Sequence, residues 1–347
     1  MKIQYHTTLL LLFVATFSRA QSQPINEEMF VPIGGVEQWI TISGEDSTKP
    51  VILFVHGGPG STASQYKGVA FDQLKRDFVL VHWDQRGAGR TYGRNAPKEL
   101  TMDYILDKPL TVERMANDGV ELSKYLLKHL GKNKLILMGS SWGSILGSEI
   151  VLKAPELFLA YIGHAQFVNF PKNIEDAYGQ VYQMAQAVND TIGTGKLESL
   201  GKLPYDTAKK YGQLLRVIKR YERQAETPAP ETWFQLLPGY DNEKDRQDRF
   251  NGDDYSFIHF VGHKKLNIPS MVANIDFSQK ALKFEVPVYL VQGEQDILTS
   301  ATINKPYFDN ISAPKKEYHL LKTAAHGFNE AVVDKLHKIA LSCIPVK

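Results

Sequence analysis

Four short runs of near-continuous apolar residues constrain the fold of this chain more than anything else in it. They are Val51 to His56 (VILFVH), Phe78 to Trp83 (FVLVHW), Leu135 to Gly139 (LILMG) and Val286 to Gln292 (VPVYLVQ). A strand with one face in water alternates apolar and polar residues, whereas a strand without a polar face has to be covered on both sides. Helical patterns separate the runs. Thr111 to Leu130 carries Met115, Val120, Leu122, Leu126 and Leu127 among charges, and Ala331 to Leu341 is amphipathic. Strands and helices in alternation describe an α/β protein with a mostly parallel central sheet flanked by helices. Val36 to Ile42 and Tyr318 to Leu321 are weaker strand candidates for the ends of that sheet.

From about residue 167 to 283 the strand pattern stops and helical periodicity takes over. Ile174, Tyr178, Val181 and Ala185 share one helical face, and Tyr211, Leu214, Leu215 and Ile218 share another. Thr227 to Glu231 (TPAPE), Pro238-Gly239 and the charged run Asp241 to Arg249 read as loop. A buried strand resumes at Val286 and needs the earlier sheet to cover it. The expected organisation is therefore a core of residues 25–166 and 284–347 with a helical cap, 167–283, inserted into it.

The first twenty residues have the pattern of a secretory signal: Lys2 in a short polar start, an apolar run from Leu9 to Phe17, then Ser18-Arg19-Ala20. The apolar run is too short to span a bilayer. Export to a periplasm or the extracellular space is expected, with no membrane attachment after cleavage. Cys343 is the only cysteine, so the chain has no internal disulfide and no cysteine-rich metal site. Forty Lys and Arg against 38 Asp and Glu give no electrostatic reason to expect nucleic acid or an anionic surface as partner.

Gly139-Ser140-Ser141-Trp142-Gly143 follows one strand and opens a helical pattern, the context in which a serine is presented on a strained turn between strand and helix. Glycines flank that turn because side chains there would collide with the neighbouring strand and helix. His56-Gly57-Gly58-Pro59-Gly60 follows another strand, and a backbone without Cβ atoms can approach a substrate carbonyl closely. The Gly58 and Trp142 N–H groups are the expected oxyanion donors. His56 is read as the anchor of its loop. A hydroxyl nucleophile needs a base, and the base needs an acceptor that fixes its tautomer. In chain order after the serine, Asp296 follows the strand ending at Gln292, and His326 follows Tyr318 to Leu321. Ser141, Asp296 and His326 are thus the candidate catalytic residues; Glu294 is the rival acid and His319 the rival base. His82, His129, His164, His259, His263 and His337 are read as core or surface residues. No two histidines stand at zinc-helix spacing with a glutamate between them, and neither a metal nor another cofactor is expected.

HGGPG at 56–60, WDQRGAGRT at 83–91 and GSSWGS at 139–144, in this order, resemble the prolyl iminopeptidase family, peptidase family S33 of the α/β-hydrolase superfamily. The likeness runs from about Val51 to Gly147 and returns around Asp296 and His326. It implies an α/β-hydrolase fold with a helical cap over the site and release of an N-terminal residue, often proline, from short peptides or amides. It also implies a structural role for the tight turn Asp84 to Thr91, where Thr91 stands in place of the family's more usual Ser. Such aminopeptidases hold the substrate ammonium with cap carboxylates, and Glu175, Asp176, Glu222, Glu226, Glu231 and Asp254 are available. Glu231 beside Trp233 and Phe234 is preferred as the substrate contact, because an apolar wall beside a carboxylate suits a prolyl ring. A carboxylesterase or lactonase would keep every core motif and differ only in the cap. An epoxide hydrolase or dehalogenase would want Asp at position 141, and a non-catalytic receptor on this scaffold would have no need of all three candidate residues.

Overall fold

The computed structural model describes residues 22–66 and 70–344. The signal-like residues 1–20 lie outside the described residues. Eight strands, β1 (Ile25–Ile33), β2 (Val36–Gly44), β3 (Val51–Val55), β4 (Val79–Trp83), β5 (Leu135–Ser140), β6 (Phe158–His164), β7 (Val288–Gly293) and β8 (Lys316–Leu321), form one sheet in the order β1-β2-β4-β3-β5-β6-β7-β8. β1, β2 and β4 pair antiparallel and every other pair is parallel. The central strands alternate between two cores. Leu53, Val55, Val81, Leu135 and Leu137 belong to the cluster on one face, and Ile52, Phe54, Leu80, Ile136 and Met138 to that on the other. Both faces are covered, which is why these strands carry no polar face.

Helices α1 (Asp72–Asp77), α2 (Gly89–Asn95), α3 (Met102–Asp107), α4 (Val112–His129) and α5 (Trp142–Lys153) lie between the earlier strands. Between β6 and β7 the described chain holds helices and no strand of the sheet: α6 (Phe170–Ala187), α7 (Thr191–Ser199), α8 (Ala208–Ala225), α9 (Glu243–Val261) and α10 (Phe277–Lys280). α11 (Ala301–Asn310) and α12 (Glu330–Ser342) complete the chain. Three differences from the sequence reading stand out. Asp241 to Arg249, read as loop, supplies most of the first half of α9. The Asn242 side chain accepts from the Asp245 N–H at 2.9 Å, and Glu243 and Asp245 occupy the first turn, where the helix dipole favours acids. β6 was not among the strand candidates. β1 escaped notice as well, because Asn26, Glu27 and Glu28 break its apolar pattern, as suits a strand at the edge of the sheet.

The topology fixes where a site can form. From β3 the chain moves outward to β4, then returns across β3 to add β5 on its other side. The loops that leave the carboxyl ends of β3 and β5 therefore diverge and open a crevice between them, the usual ligand position in open parallel sheets. β7 and β8 deliver their following loops to the same edge.

Arg90, at the start of α2, ties the core to the helical insertion. Its guanidinium makes two hydrogen bonds of 2.8 Å to Asp245 on α9 and lies over the rings of Tyr240 and Trp39 at 3.8 and 4.8 Å. Arg90→Ala would leave the nearly buried Asp245 carboxylate unpaired. Removing one member of such a pair costs about 3 kcal/mol, so the midpoint of urea unfolding is expected to fall accordingly. An unchanged midpoint would show that this contact contributes nothing to stability.

Candidate active site

Ser141 sits between β5 and α5 with φ 55° and ψ −122°, a conformation that costs a non-glycine residue energy unless its surroundings enforce it. The surroundings do so. The Ser141 N–H donates to the His164 carbonyl at 3.0 Å, and the Ser144 hydroxyl donates to the Ser141 carbonyl at 2.6 Å. A Cβ on Gly139 would stand 2.2 Å from the Gly143 oxygen, and one on Gly143 would stand 2.0 Å from the Val55 oxygen. Only glycine at these two places lets helix and strand close around the turn. The hydroxyl is left facing the crevice.

His326, in the loop after β8, takes up that hydroxyl: its Nε2 lies 2.8 Å from Ser141 Oγ. On its other side Nδ1 lies 3.1 Å from each oxygen of Asp296, which follows β7. An ionised carboxylate only accepts, so Nδ1 carries the proton and Nε2 is free to accept from the serine. Asp296 is buried and held in turn by Thr299, whose N–H donates to Oδ1 at 2.8 Å and whose hydroxyl donates to Oδ2 at 2.6 Å. Burial works against charge on both groups, yet the attraction between them and their hydrogen bond prevail. The Asp296 pKa is lowered and that of His326 is raised, with Glu222 adding to the rise at His326. Such an arrangement favours the charged form of the His326 ring.

The loop after β3 runs over the serine. A Cβ on Gly57 would lie 3.2 Å from Ser141 Cβ, and Gly58 follows with φ 112°. Trp142 opens α5, whose first N–H groups have no partner inside the helix. His56 is an anchor: its Nδ1 donates to the Gly57 carbonyl at 2.7 Å and its Nε2 accepts from the Gln85 N–H at 3.3 Å. Burial lowers its pKa to about 4, so the ring stays neutral. Gln85 joins the three sequence motifs. Its side chain donates to the His56 carbonyl at 2.9 Å and accepts from the Trp142 indole at 2.8 Å. Neither rival joins the hydrogen-bonded set of Ser141, His326 and Asp296: Glu294 is exposed, and His319 pairs with Glu317 on β8.

The cap carboxylates sort differently from the sequence preference. Glu231 is exposed, and Trp233 lines a surface recess with Ala70, Gln73, Glu330 and Asp334, so neither joins the hydrogen-bonded set around Ser141. The segment 227–235 begins against the loop before His326, where the Thr227 N–H donates to the Thr323 carbonyl at 2.9 Å. Adjacency in sequence to a tryptophan did not place that carboxylate in the crevice. Glu222 on α8 is the acid brought inside. It is buried, with Oε1 accepting from the Ile297 and Leu298 N–H groups at 2.8 and 3.3 Å, immediately after Asp296. Burial, and next the Asp296 charge, raise its pKa. One turn on, Glu226 is half-buried beside the Ala325 backbone and feels the His326 charge. Asp176 accepts from Ser300 at 2.6 Å, and Glu175 and Asp254 are exposed. The signal for Glu222 was present. Tyr211, Leu214 and Ile218 mark the apolar face of α8, and position 222 continues that face with a carboxylate.

Residues 50–330 match the model of the family described as alpha/beta hydrolase fold. The chain is similar to the probable aminopeptidase YbaC of Bacillus subtilis (strain 168), at 27% identity over 304 residues, 85% of this chain and 88% of that one. It is 21% identical over 309 residues to the proline iminopeptidase of Clostridioides difficile (strain 630), covering 86% of this chain and 91% of the relative. The crystal structure of the proline iminopeptidase of Mycobacterium smegmatis superposes with a TM-score of 0.61 at 18% identity, covering 92% and 100% of the two chains, a likeness of fold.

Proposed function

The chain belongs to the alpha/beta hydrolase fold family, and from that premise we propose that it is a serine aminopeptidase that releases an N-terminal residue, proline among them, from short peptides. The observation that carries the reading is Glu222, a buried carboxylate that the helical insertion places beside His326 and Asp296. A buried carboxylate beside another carboxylate is costly without a cationic partner. The free α-ammonium of a peptide, one residue from the bond to be cut, would supply that partner. The names of the similar aminopeptidases and proline iminopeptidases point the same way.

In this mechanism Ser141 Oγ attacks the carbonyl carbon of the first residue while His326 Nε2 takes the hydroxyl proton. The oxyanion that forms receives the N–H groups of Gly58 and Trp142. His326 passes its proton to the departing amine; water then enters, gives a proton to His326 and attacks the acyl carbon, and His326 returns that proton to Ser141 Oγ as the acid leaves. An ammonium at Glu222 also offsets the pull of that carboxylate on His326. Bound substrate thereby returns the imidazole toward the neutral form that the first step needs. No step calls for a metal or another cofactor. The signal-like residues 1–20 support an exported, periplasmic or extracellular enzyme. Comparing a proline arylamide with its N-acetylated twin tests the reading, because acetylation removes the charge that Glu222 would hold.

A further inference from the structure

A second cavity, of about 320 Å³, lies where the Arg86-Gly87 turn, α2, α3 and α4 meet helix α9, and none of the triad or oxyanion residues lines it. Its walls combine two chemistries. Tyr92, Tyr104 and Tyr255 form a cluster of mutually contacting rings, with centroids 5.4 to 6.5 Å apart. Arg86, Lys108 and Arg114 bring three cationic side chains, and no Asp or Glu lines the cavity. Arg86 is already satisfied, with hydrogen bonds of 2.7 and 3.0 Å to Asp118 and one of 2.7 Å to the Gly34 carbonyl. Lys108 and Arg114 have no ion-pair partner among the described residues. The buried Tyr92 hydroxyl likewise has no hydrogen-bond partner among them.

Lys108 and Arg114 line one recess that no carboxylate lines, and an anion bound there would be attracted by both. Flat aromatic walls add contact for a planar apolar body. The volume is at the small end of ligand sites, which suits a single ring and excludes a nucleotide or a folded peptide. We propose that this cavity is a binding site for a small aromatic carboxylate, its ring against the three tyrosines and its carboxylate between Lys108 and Arg114. This site is separate from the hydrolytic crevice and does not depend on the peptidase reading.

Titration calorimetry on the full chain tests it, with 4-hydroxybenzoate, its neutral analogue 4-hydroxybenzamide, and inorganic phosphate as probes. The expected result is saturable one-to-one binding of 4-hydroxybenzoate, unchanged when Ser141 is blocked by a fluorophosphonate. Binding should be at least tenfold weaker for the amide, for phosphate, and for the double variant Lys108→Met, Arg114→Met. Both substituted side chains are exposed, and the melting curve of the variant reports its fold; should it melt early, Arg114→Gln alone carries the comparison. Absence of saturable binding overturns the proposal, as does full affinity in the variant. Equal binding of the amide removes the role of charge, and equal binding of phosphate removes that of the ring; either result overturns it too. Loss of binding on blocking Ser141 would place the acid at the triad, which also contradicts the proposal.

Discussion

Ser141→Ala is expected to lower kcat/KM for every substrate of this protein by roughly 10⁴-fold to 10⁶-fold, the range seen when one member of such a triad is removed. Ser141 Oγ is the only hydroxyl within hydrogen-bond reach of His326 Nε2 among the described residues, and the turn that presents it is held by backbone contacts to His164 and Ser144 that alanine keeps. The variant should therefore melt as the wild type does, within about 0.5 kcal/mol of its stability. Loss of activity with an unchanged melt assigns the chemistry to the hydroxyl. Retained turnover would mean that another nucleophile performs the reaction.

Glu222→Gln carries the second large effect, and its size depends on the substrate. Glutamine keeps an oxygen to accept from the Ile297 and Leu298 N–H groups, so the loop that bears Asp296 stays in place while the negative charge is lost. A charge-assisted bond to a substrate ammonium is worth about 1.5 to 3 kcal/mol, which corresponds to a loss of roughly 10-fold to 150-fold in kcat/KM on a free-amine arylamide. A short-chain ester has no amine to lose, and its kcat/KM above the acid limb should hardly change. The pH profile gives an independent readout. Burial lowers the His326 pKa while the Asp296 and Glu222 charges raise it, with Glu222 the lesser of the two. Removing the Glu222 charge lowers that pKa. Because His326 acts as a base in its neutral form, the acid limb of the ester profile should move to lower pH. A limb that stays put, or equal losses on amine and ester, would reduce Glu222 to a brace for the loop after Asp296.

Structure was legible in the sequence where it is local, and obscure where it depends on packing. GSSWG at 139–143 needs its glycines because backbone atoms of the adjoining strand and helix come within about 2 Å of where a Cβ would be, and that demand is written into five consecutive residues. Asp296 follows an apolar strand and His326 follows the weaker strand candidate Tyr318 to Leu321, so their order along the chain could be read as well. Thr299 was overlooked, although it stands three residues after the acid it holds. The insertion was harder. Its helices were visible from periodicity at Ile174 to Ala185 and Tyr211 to Ile218, but periodicity does not say which face meets the triad. Glu231 looked suitable because Trp233 and Phe234 follow it, yet the structure turns that stretch outward and brings in Glu222, one step along an apolar face already recognised. Asp241 to Arg249 looked like a solvated loop because its charges hide a helix. Asp245 alone shows their use, as the partner of Arg90 across the junction with the core.

The measurement that bears most directly on the account is hydrolysis of a proline arylamide beside its N-acetylated twin and a short-chain nitrophenyl ester, with Ser141→Ala as the blank. Strong turnover of the free-amine arylamide is expected, lost on acetylation and in the blank. Cleavage of the ester alone, abolished by Ser141→Ala, would leave the triad standing and contradict the aminopeptidase assignment, making the helical insertion an esterase or lactonase lid.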